Sequence, residues 1–237
     1  MKSAELKKSL LLYAVTDRAW LGKNFCCETL SDAVLQAIEG GATLIQLREK
    51  ELSEKELSEK EFLEEAFSIK KICTSKKIPL IINDNVKIAK ETDAYGVHIG
   101  QSDMELIEAR KILGADKIIG VSCQTVEQAL QAEKNGADYL GVGAIFSTST
   151  KTDADNVSIS TLKEICSSVK IPVVAIGGIS LQNMSQLKGS GIAGVSVISA
   201  IFAQQDIRSA TKELKSLAEK LFLSFSSLIR KSVSVDC

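Results

Sequence analysis

Three short polar segments of the sequence lie at, or just past, the end of an apolar run that is typical of a β-strand. They are Gln46–Lys50, Asn83–Asp84 and Gln101–Asp103. The first segment carries an arginine and a lysine, and each of the other two carries an aspartate. Carboxylates bind Mg²⁺, and arginine and lysine bind phosphate oxygens. The sequence therefore predicts a site that holds a diphosphate through a metal ion and two basic side chains.

The length and composition favour one large domain. The chain has 237 residues, of which 45% are hydrophobic, and its formal net charge is −1. Because the net charge is small, recognition of an anion must be local, and the sequence has no basic face or nucleic-acid motif. Residues 1–12 match neither a signal peptide nor a membrane span. The six cysteines form no C-x-x-C pair, which favours reduced thiols and a cytoplasmic location.

Eight apolar runs with helical patterns between them predict an α/β fold, a single (β/α)₈ TIM barrel. Most runs are continuously apolar, which suits parallel strands that are covered on their outer face. The predicted strands are Leu10–Thr16, Thr43–Leu47, Pro79–Asn83, Tyr95–Ile99, Lys117–Val121, Tyr139–Gly143, Val173–Gly177 and Gly194–Ile198. The predicted helices are Thr29–Glu39, Leu52–Lys77, Asp103–Leu113, Thr125–Asn135, Ser160–Ser168 and Ile207–Leu221.

The same pattern sets the domain boundaries. An open doubly wound sheet is the alternative fold, but it would need a glycine-rich turn after the first strand, where this chain has Thr16-Asp17-Arg18. We assign the barrel to residues 1–222, and residues 223–237 to a carboxyl-terminal extension that is either helical or irregular.

Residues just after each strand are the candidates for chemistry, because active sites of such barrels lie at the carboxyl ends of the strands. Gln46 and Arg48 share one side of an extended segment, which argues against a plain solvated helix start at this charged run. Asp84 and Asp103 leave two alternatives open. Each could cap a helix, or both could converge on a metal ion.

The later strands end in residues that suit a phosphate group. Ser122 follows the fifth strand, and the hydroxyl-rich Ser147–Lys151 follows the sixth as either a polar surface loop or an anion site. Gly177-Gly178 and Ile198-Ser199 come at the ends of the last two strands. Glycines and helix-start amides there allow the backbone to approach and bind a phosphate.

His98 is the only histidine of the chain and lies inside the fourth predicted strand. We predict a packed strand histidine rather than an acid or base. No Ser-His or Cys-His dyad can be assembled from the sequence, which disfavours histidine-based nucleophilic hydrolysis.

These motifs, in this order, resemble the thiamine-phosphate synthase family. The resemblance runs from Tyr13 to Phe202, which is nearly the whole barrel. The strongest motifs are Gln46–Lys50, Ile82–Asp84, Gly96–Asp103, Ile119–Ser122, Gly141–Phe146, Thr148–Lys151 and Val174–Ile179.

The resemblance implies a transferase that joins hydroxymethylpyrimidine diphosphate to thiazole phosphate, giving thiamine phosphate and pyrophosphate. It implies that the substrates are bound by Gln46, Leu47, Arg48, Glu49, Lys50, Asn83, Ser122, Thr148, Ser149, Thr150, Lys151, Gly178, Ile198 and Ser199. Of these residues, the ones that match the thiazole phosphate site are Thr148 to Thr150, Gly178, Ile198 and Ser199. It further implies catalytic roles for Arg48, Lys50, Ser122 and Lys151. The implied cofactor is Mg²⁺, with Asp84 and Asp103 as its ligands.

Two alternatives belong to other functions. A thiazole tautomerase shares the fold and the thiazole phosphate end, but it would not need the basic and acidic side chains of the diphosphate end together. A catalytically inactive barrel could instead bind a phosphorylated ligand and regulate a partner. We expect small-molecule substrates as partners, with no nucleic acid and no membrane; the sequence leaves assembly into a homo-oligomer open.

Overall fold

A computed structural model describes residues 3–22, 27–49, 58–147 and 157–223 of the chain. Within these residues, parallel strands follow one another around a closed barrel in the order β1 to β8, and β8 pairs with β1. The predicted (β/α)₈ barrel is therefore confirmed. The strands are β1 Leu12–Val15, β2 Leu44–Leu47, β3 Leu80–Asn83, β4 Gly96–Ile99, β5 Ile118–Cys123, β6 Tyr139–Val142, β7 Val173–Ile176 and β8 Gly194–Val197.

Helices surround the barrel, and the first of them packs into its interior rather than against its outer face. They are α1 Ser3–Ser9, α2 Leu30–Gly40, α3 Glu59–Ser75, α4 Val86–Glu91, α5 Leu106–Leu113, α6 Val126–Lys134, α7 Ile159–Ser168, α8 Ser199–Phe202 and α9 Ile207–Phe222, with 3₁₀ turns at Arg18–Trp20 and Met184–Leu187. In the described part of the chain, no helix combines the length and the apolarity that a bilayer crossing requires. Apart from Leu223, the predicted extension 223–237 lies outside the described residues.

Local capping explains where two of these helices begin. Thr29 accepts a hydrogen bond from the Asp32 amide at the start of α2. Ser58 and Glu61 form a reciprocal capping box at the start of α3, so this helix begins at Glu59. The predicted start at Leu52 was therefore too early. The helices α1, α4 and α8, which are short, were not predicted from the sequence.

The barrel has an outer and an inner core. Alternate strand residues pack either against the helices or into the barrel. The inner cluster includes Tyr13, Leu44, Ile81 and Tyr139, and Leu6 of α1 packs into it. Fully burying a leucine or isoleucine contributes roughly 1.5–3 kcal/mol, so these aliphatic layers fix the barrel around the polar residues at its other end.

Candidate active site

A pocket opens inside the barrel at the carboxyl ends of the strands. Its walls come from inward-facing positions that are two residues apart on successive strands. The lining residues are Tyr13, Val15, Gln46, Arg48, Asn83, His98, Ser122, Gly141, Val174, Ile176, Ser196 and Ile198. Five of the predicted substrate-binding residues, Gln46, Arg48, Asn83, Ser122 and Ile198, thus meet in one cavity. This confirms that Gln46 and Arg48 share one side of an extended segment, which β2 and the residue after it form.

Among the described residues of β2 and the loop after it, Arg48 is the basic residue that lines the pocket. The residue is only 6% exposed, and its Nε is buried without a hydrogen-bond partner in the described part of the chain. A buried charge is costly unless it is paired and hydrogen-bonded. Arg48 is therefore suited to an anionic ligand that supplies the missing acceptor.

Asp84 and Asp103 are not the caps of the helices that follow them. Asn85 caps α4 through its side chain, and α5 begins only at Leu106 without a side-chain cap. Asp103 Oδ2 instead accepts the Gly100 amide at 2.6 Å, and Asp84 Oδ2 accepts Asn83 Nδ2 at 2.7 Å. The simpler alternative, that both aspartates are helix caps, is wrong.

The donor chemistry at these two aspartates fits Mg²⁺. They follow β3 and β4, which are neighbours in the barrel, and each carboxylate is oriented by a hydrogen bond. Asp84 also has a φ of 60°, a left-handed conformation that is rare outside glycine and often occurs at functional sites. Mg²⁺ in such sites is bound by one or two carboxylates, with water and substrate phosphates completing the shell. Each aspartate can thus supply carboxylate oxygens to Mg²⁺, and neither is among the lining residues named above for the pocket.

Leu47 and Glu49 face away from the pocket lining. Leu47 belongs to the outer core between sheet and helices. Glu49 accepts a hydrogen bond from Arg18 Nε at 3.0 Å, and Arg18 also pairs with Glu65. Burial raises the pKa of Glu49 to about 7, and the Arg18 guanidinium only partly opposes this shift. Their predicted contact with substrate stays a prediction.

Five predicted residues lie outside the described part of the chain. They are Lys50, Thr148, Ser149, Thr150 and Lys151. The neighbouring backbone is described, and it passes close to Gly178, which has a φ of 61°. A Cβ at Gly178 would lie 2.5 Å from the Ser147 carbonyl oxygen, so glycine is needed for this approach. Ser199 is exposed at the first residue of α8.

Four inward-facing residues in the pocket wall or next to it were not predicted from the sequence as site residues. His98 is packed in its strand, as predicted, but its Nε2 also forms a hydrogen bond of 2.9 Å with Ser122 Oγ. Tyr13 and Tyr139 meet beside it, with their hydroxyl oxygens 2.9 Å apart. Ser196 lines the pocket with a buried Oγ that has no partner in the described ranges. The available signal was the two-residue alternation that turns all four side chains inward.

Comparison with known proteins identifies the family. Residues 12–201 match a family model described as thiamine monophosphate synthase. A thiamine-phosphate synthase of Clostridium beijerinckii is 51% identical over 204 residues, covering 86% of this chain and 93% of the relative. A thiamine-phosphate synthase of Clostridium acetobutylicum is 50% identical over 220 residues, covering 93% of this chain and 98% of the relative.

A solved structure agrees with these relatives. The thiamine phosphate pyrophosphorylase from Pyrococcus furiosus is 37% identical, with a TM-score of 0.81, and the match covers 92% of this chain and 100% of that one. The family and the transferase class predicted from the motifs are thus confirmed. The chain belongs to the thiamine monophosphate synthase family.

Proposed function

We propose that the chain transfers a pyrimidinylmethyl group from hydroxymethylpyrimidine diphosphate to thiazole phosphate, releasing pyrophosphate, with Mg²⁺ as cofactor. The observation that carries this proposal is the buried Arg48, whose Nε lacks a partner in the described residues while its side chain lines the pocket. A diphosphate supplies several acceptors for such a guanidinium. The family relationship supports the identity of both substrates.

The basic and amide side chains bind and orient the diphosphate. Arg48 donates to its oxygens from the position just after β2, and Asn83 lines the same pocket at the end of β3. From the family resemblance, we expect Lys50 and Lys151 to bind the same group and to add positive charge around the leaving oxygen. Held in this way, the substrate presents its methylene carbon to the open end of the pocket, and positioning of this kind supplies much of the rate acceleration.

The reaction needs charge neutralisation rather than a base. Bound Mg²⁺, held by Asp84 and Asp103, would offset the negative charge of the departing pyrophosphate. The C–O bond breaks and pyrophosphate takes the electron pair, while the electron-rich aminopyrimidine carries the positive charge at the methylene carbon. The lone pair of the thiazole nitrogen then forms the new C–N bond. No proton is removed in this step, which is consistent with a pocket whose histidine is held by hydrogen bonds at both ring nitrogens.

A pyrophosphate-release assay tests this function. Purified chain, both substrates and Mg²⁺ should yield pyrophosphate and thiamine phosphate in equal amounts, and omission of either substrate should stop thiamine phosphate formation. Isomerisation of a thiazole substrate without pyrophosphate release would favour the tautomerase instead. Calorimetric binding of the phosphorylated ligands with no turnover would favour the non-catalytic regulator.

We also infer a cytoplasmic location. Cys73, Cys123 and Cys166 are free thiols in the described ranges. Burial raises the pKa of Cys73 and of Cys123 to about 12, so both are inert, protonated thiols. Thiol labelling in denaturant, of protein purified without reductant, tests this inference, because disulfides among these residues would contradict it.

A further inference from the structure

A continuous series of hydrogen bonds crosses the inside of the barrel and has both ends in the pocket. Gln46 Nε2 donates to the Tyr13 hydroxyl at 2.6 Å, and the hydroxyls of Tyr13 and Tyr139 are 2.9 Å apart. The Tyr139 hydroxyl is 3.0 Å from His98 Nδ1, and His98 Nε2 is 2.9 Å from Ser122 Oγ. We call these five residues the relay. Its two ends, Gln46 and Ser122, are both predicted substrate-binding residues.

The packing of the barrel is built around this relay. In the sheet register His98 pairs with Gly120, and Gly120 pairs with Tyr139. A Cβ at Gly120 would lie 2.1 Å from Cζ of Tyr139, so only glycine leaves room for the ring to lean towards His98. A Cβ at Gly141 would similarly lie 3.0 Å from Cε1 of His98. Two glycines thus open the space in which the relay forms.

The amide of Gln46 determines the direction of the relay. Nε2 can only donate, so the Tyr13 hydroxyl accepts from it and gives its own single proton to Tyr139. Tyr139 in turn gives its proton to His98 Nδ1. With Gln46 as the donor, a reversed bond between the tyrosines would leave the buried Tyr13 hydroxyl proton without an acceptor, which is costly. Burial raises the pKa of both tyrosines, so neither proton is lost.

We propose that His98 is a positioning residue that holds the Ser122 hydroxyl as a hydrogen-bond donor towards the pocket. Because Nδ1 accepts from Tyr139, the proton of His98 lies on Nε2 and is donated to Ser122 Oγ. The serine oxygen is then an acceptor for His98, and its own proton is directed to an acceptor atom of the pyrimidine diphosphate. At the opposite end, Gln46 presents its Oε1 as an acceptor. This inference rests on the proposed function for the identity of the ligand.

The opposite direction of the relay would give the Ser122 hydroxyl a different role. If Gln46 offered Oε1 to Tyr13, each proton of the relay would point the other way, and His98 would carry its proton on Nδ1. Nε2 would then accept the Ser122 proton, which is the arrangement that activates a serine as a nucleophile. The tautomer of His98 therefore distinguishes a donor serine from an activated one.

The single histidine makes this tautomer directly measurable. Protein labelled with ¹⁵N-histidine and purified without a histidine tag gives imidazole signals from His98 alone. At pH 7.5 we expect a protonated Nε2 with a one-bond proton coupling and an unprotonated Nδ1. A proton on Nδ1, alone or together with Nε2, would overturn the proposal. The result does not depend on turnover, so a chain without activity would refute the proposed function while leaving this measurement decisive.

A tyrosine variant tests whether the relay reaches His98. Tyr139→Phe keeps the ring but removes the hydroxyl that donates to Nδ1, so the ¹⁵N resonance of Nδ1 should move. Tyr95→Phe is the matched control, because Tyr95 is 46% exposed on the outside of the barrel. An Nδ1 resonance that stays in place in Tyr139→Phe would show that the tyrosine does not fix the histidine.

A double-mutant cycle separates positioning from plain packing. His98→Leu should lower kcat about tenfold with little change in KM, the effect expected for one hydrogen bond used in the transition state. In a Ser122→Ala background the same change should cost less than about twofold, because the group that His98 positions is gone. His98→Gln, which retains a donor, should recover most of the loss. Equal losses in both backgrounds, or a glutamine no better than leucine, would mean that His98 only fills space.

Discussion

The hydroxyl of Thr16 binds both backbone groups of Arg48. The Arg48 amide donates to Thr16 Oγ1 at 2.9 Å, and the hydroxyl contacts the Arg48 carbonyl oxygen at 3.4 Å. The Thr16 amide also donates to the Gln46 carbonyl oxygen at 2.9 Å. The end of β1 therefore fixes the backbone from which the arginine enters the pocket, and both residues are buried.

Replacement of this hydroxyl should affect both stability and substrate binding. Thr16→Val leaves the buried Arg48 amide without an acceptor, so we expect a loss of about 1–3 kcal/mol in the free energy of unfolding. The Arg48 guanidinium should also no longer be held in its position in the pocket, so KM for the pyrimidine diphosphate should rise. Urea denaturation and steady-state kinetics measure the two effects.

Thr211→Val is the matched control for this variant. Thr211 is equally buried, and its hydroxyl bonds the Ile207 carbonyl oxygen within α9, on the outside of the barrel. Its loss should lower stability without changing KM. If the two threonine variants had the same KM, the anchoring role of Thr16 would be refuted.

Replacement of Ser196 should raise the stability of the ligand-free protein but weaken its binding of substrate. Its Oγ is buried in the pocket without a partner in the described ranges, so Ser196→Ala should stabilise the ligand-free protein by about 1 kcal/mol. The same change should weaken substrate binding, because the bound substrate would lose its hydrogen bond with this hydroxyl. Ser190→Ala, which removes a bond of 2.7 Å to the Leu187 carbonyl oxygen, should instead destabilise. Thermal unfolding with and without the pyrimidine diphosphate decides between these outcomes.

The fold could be predicted because local hydrophobicity patterns in the sequence identify its strands and most of its helices. Apolar runs separated by amphipathic segments identified every strand, and the predicted ends agree with the observed ones to within two residues. β5, for example, runs over Ile118–Cys123 rather than Lys117–Val121. The start of α3 was misjudged because the pentapeptide Glu-Leu-Ser-Glu-Lys occurs twice, over Glu51–Lys55 and Glu56–Lys60, so the sequence does not single out Ser58 as the cap.

The relay could not be predicted because it depends on barrel closure. Tyr13 and Tyr139 are 126 residues apart, and only the closed sheet brings their hydroxyls together. His98 meets Tyr139 because the intervening strand presents Gly120 at that level. Inward alternation could have shown which side chains share the cavity, but not which of them touch.

The stability of the protein should depend on Glu49 as pH changes. Its pKa in the folded chain is about 7 rather than 4.5, so the folded state binds the proton more tightly than the unfolded state. Between these two pH values stability therefore falls as pH rises, by roughly 1–3 kcal/mol for this group. Glu49→Gln should lack this component of the slope. Urea midpoints from pH 4.5 to 8 measure it, with the exposed Glu108→Gln as a variant that keeps the wild-type slope.

Removal of one carboxylate should change the response to magnesium. Asp84→Asn keeps the left-handed backbone, which asparagine adopts readily, but removes a negative ligand. We expect the Mg²⁺ concentration for half-maximal pyrophosphate release to rise by about tenfold or more. Asp93→Asn is the matched control, since Asp93 also has a positive φ, of 51°, but pairs with Lys117 at the exposed surface. An unchanged Mg²⁺ requirement in Asp84→Asn, or an equal rise in Asp93→Asn, would remove Asp84 from the metal site.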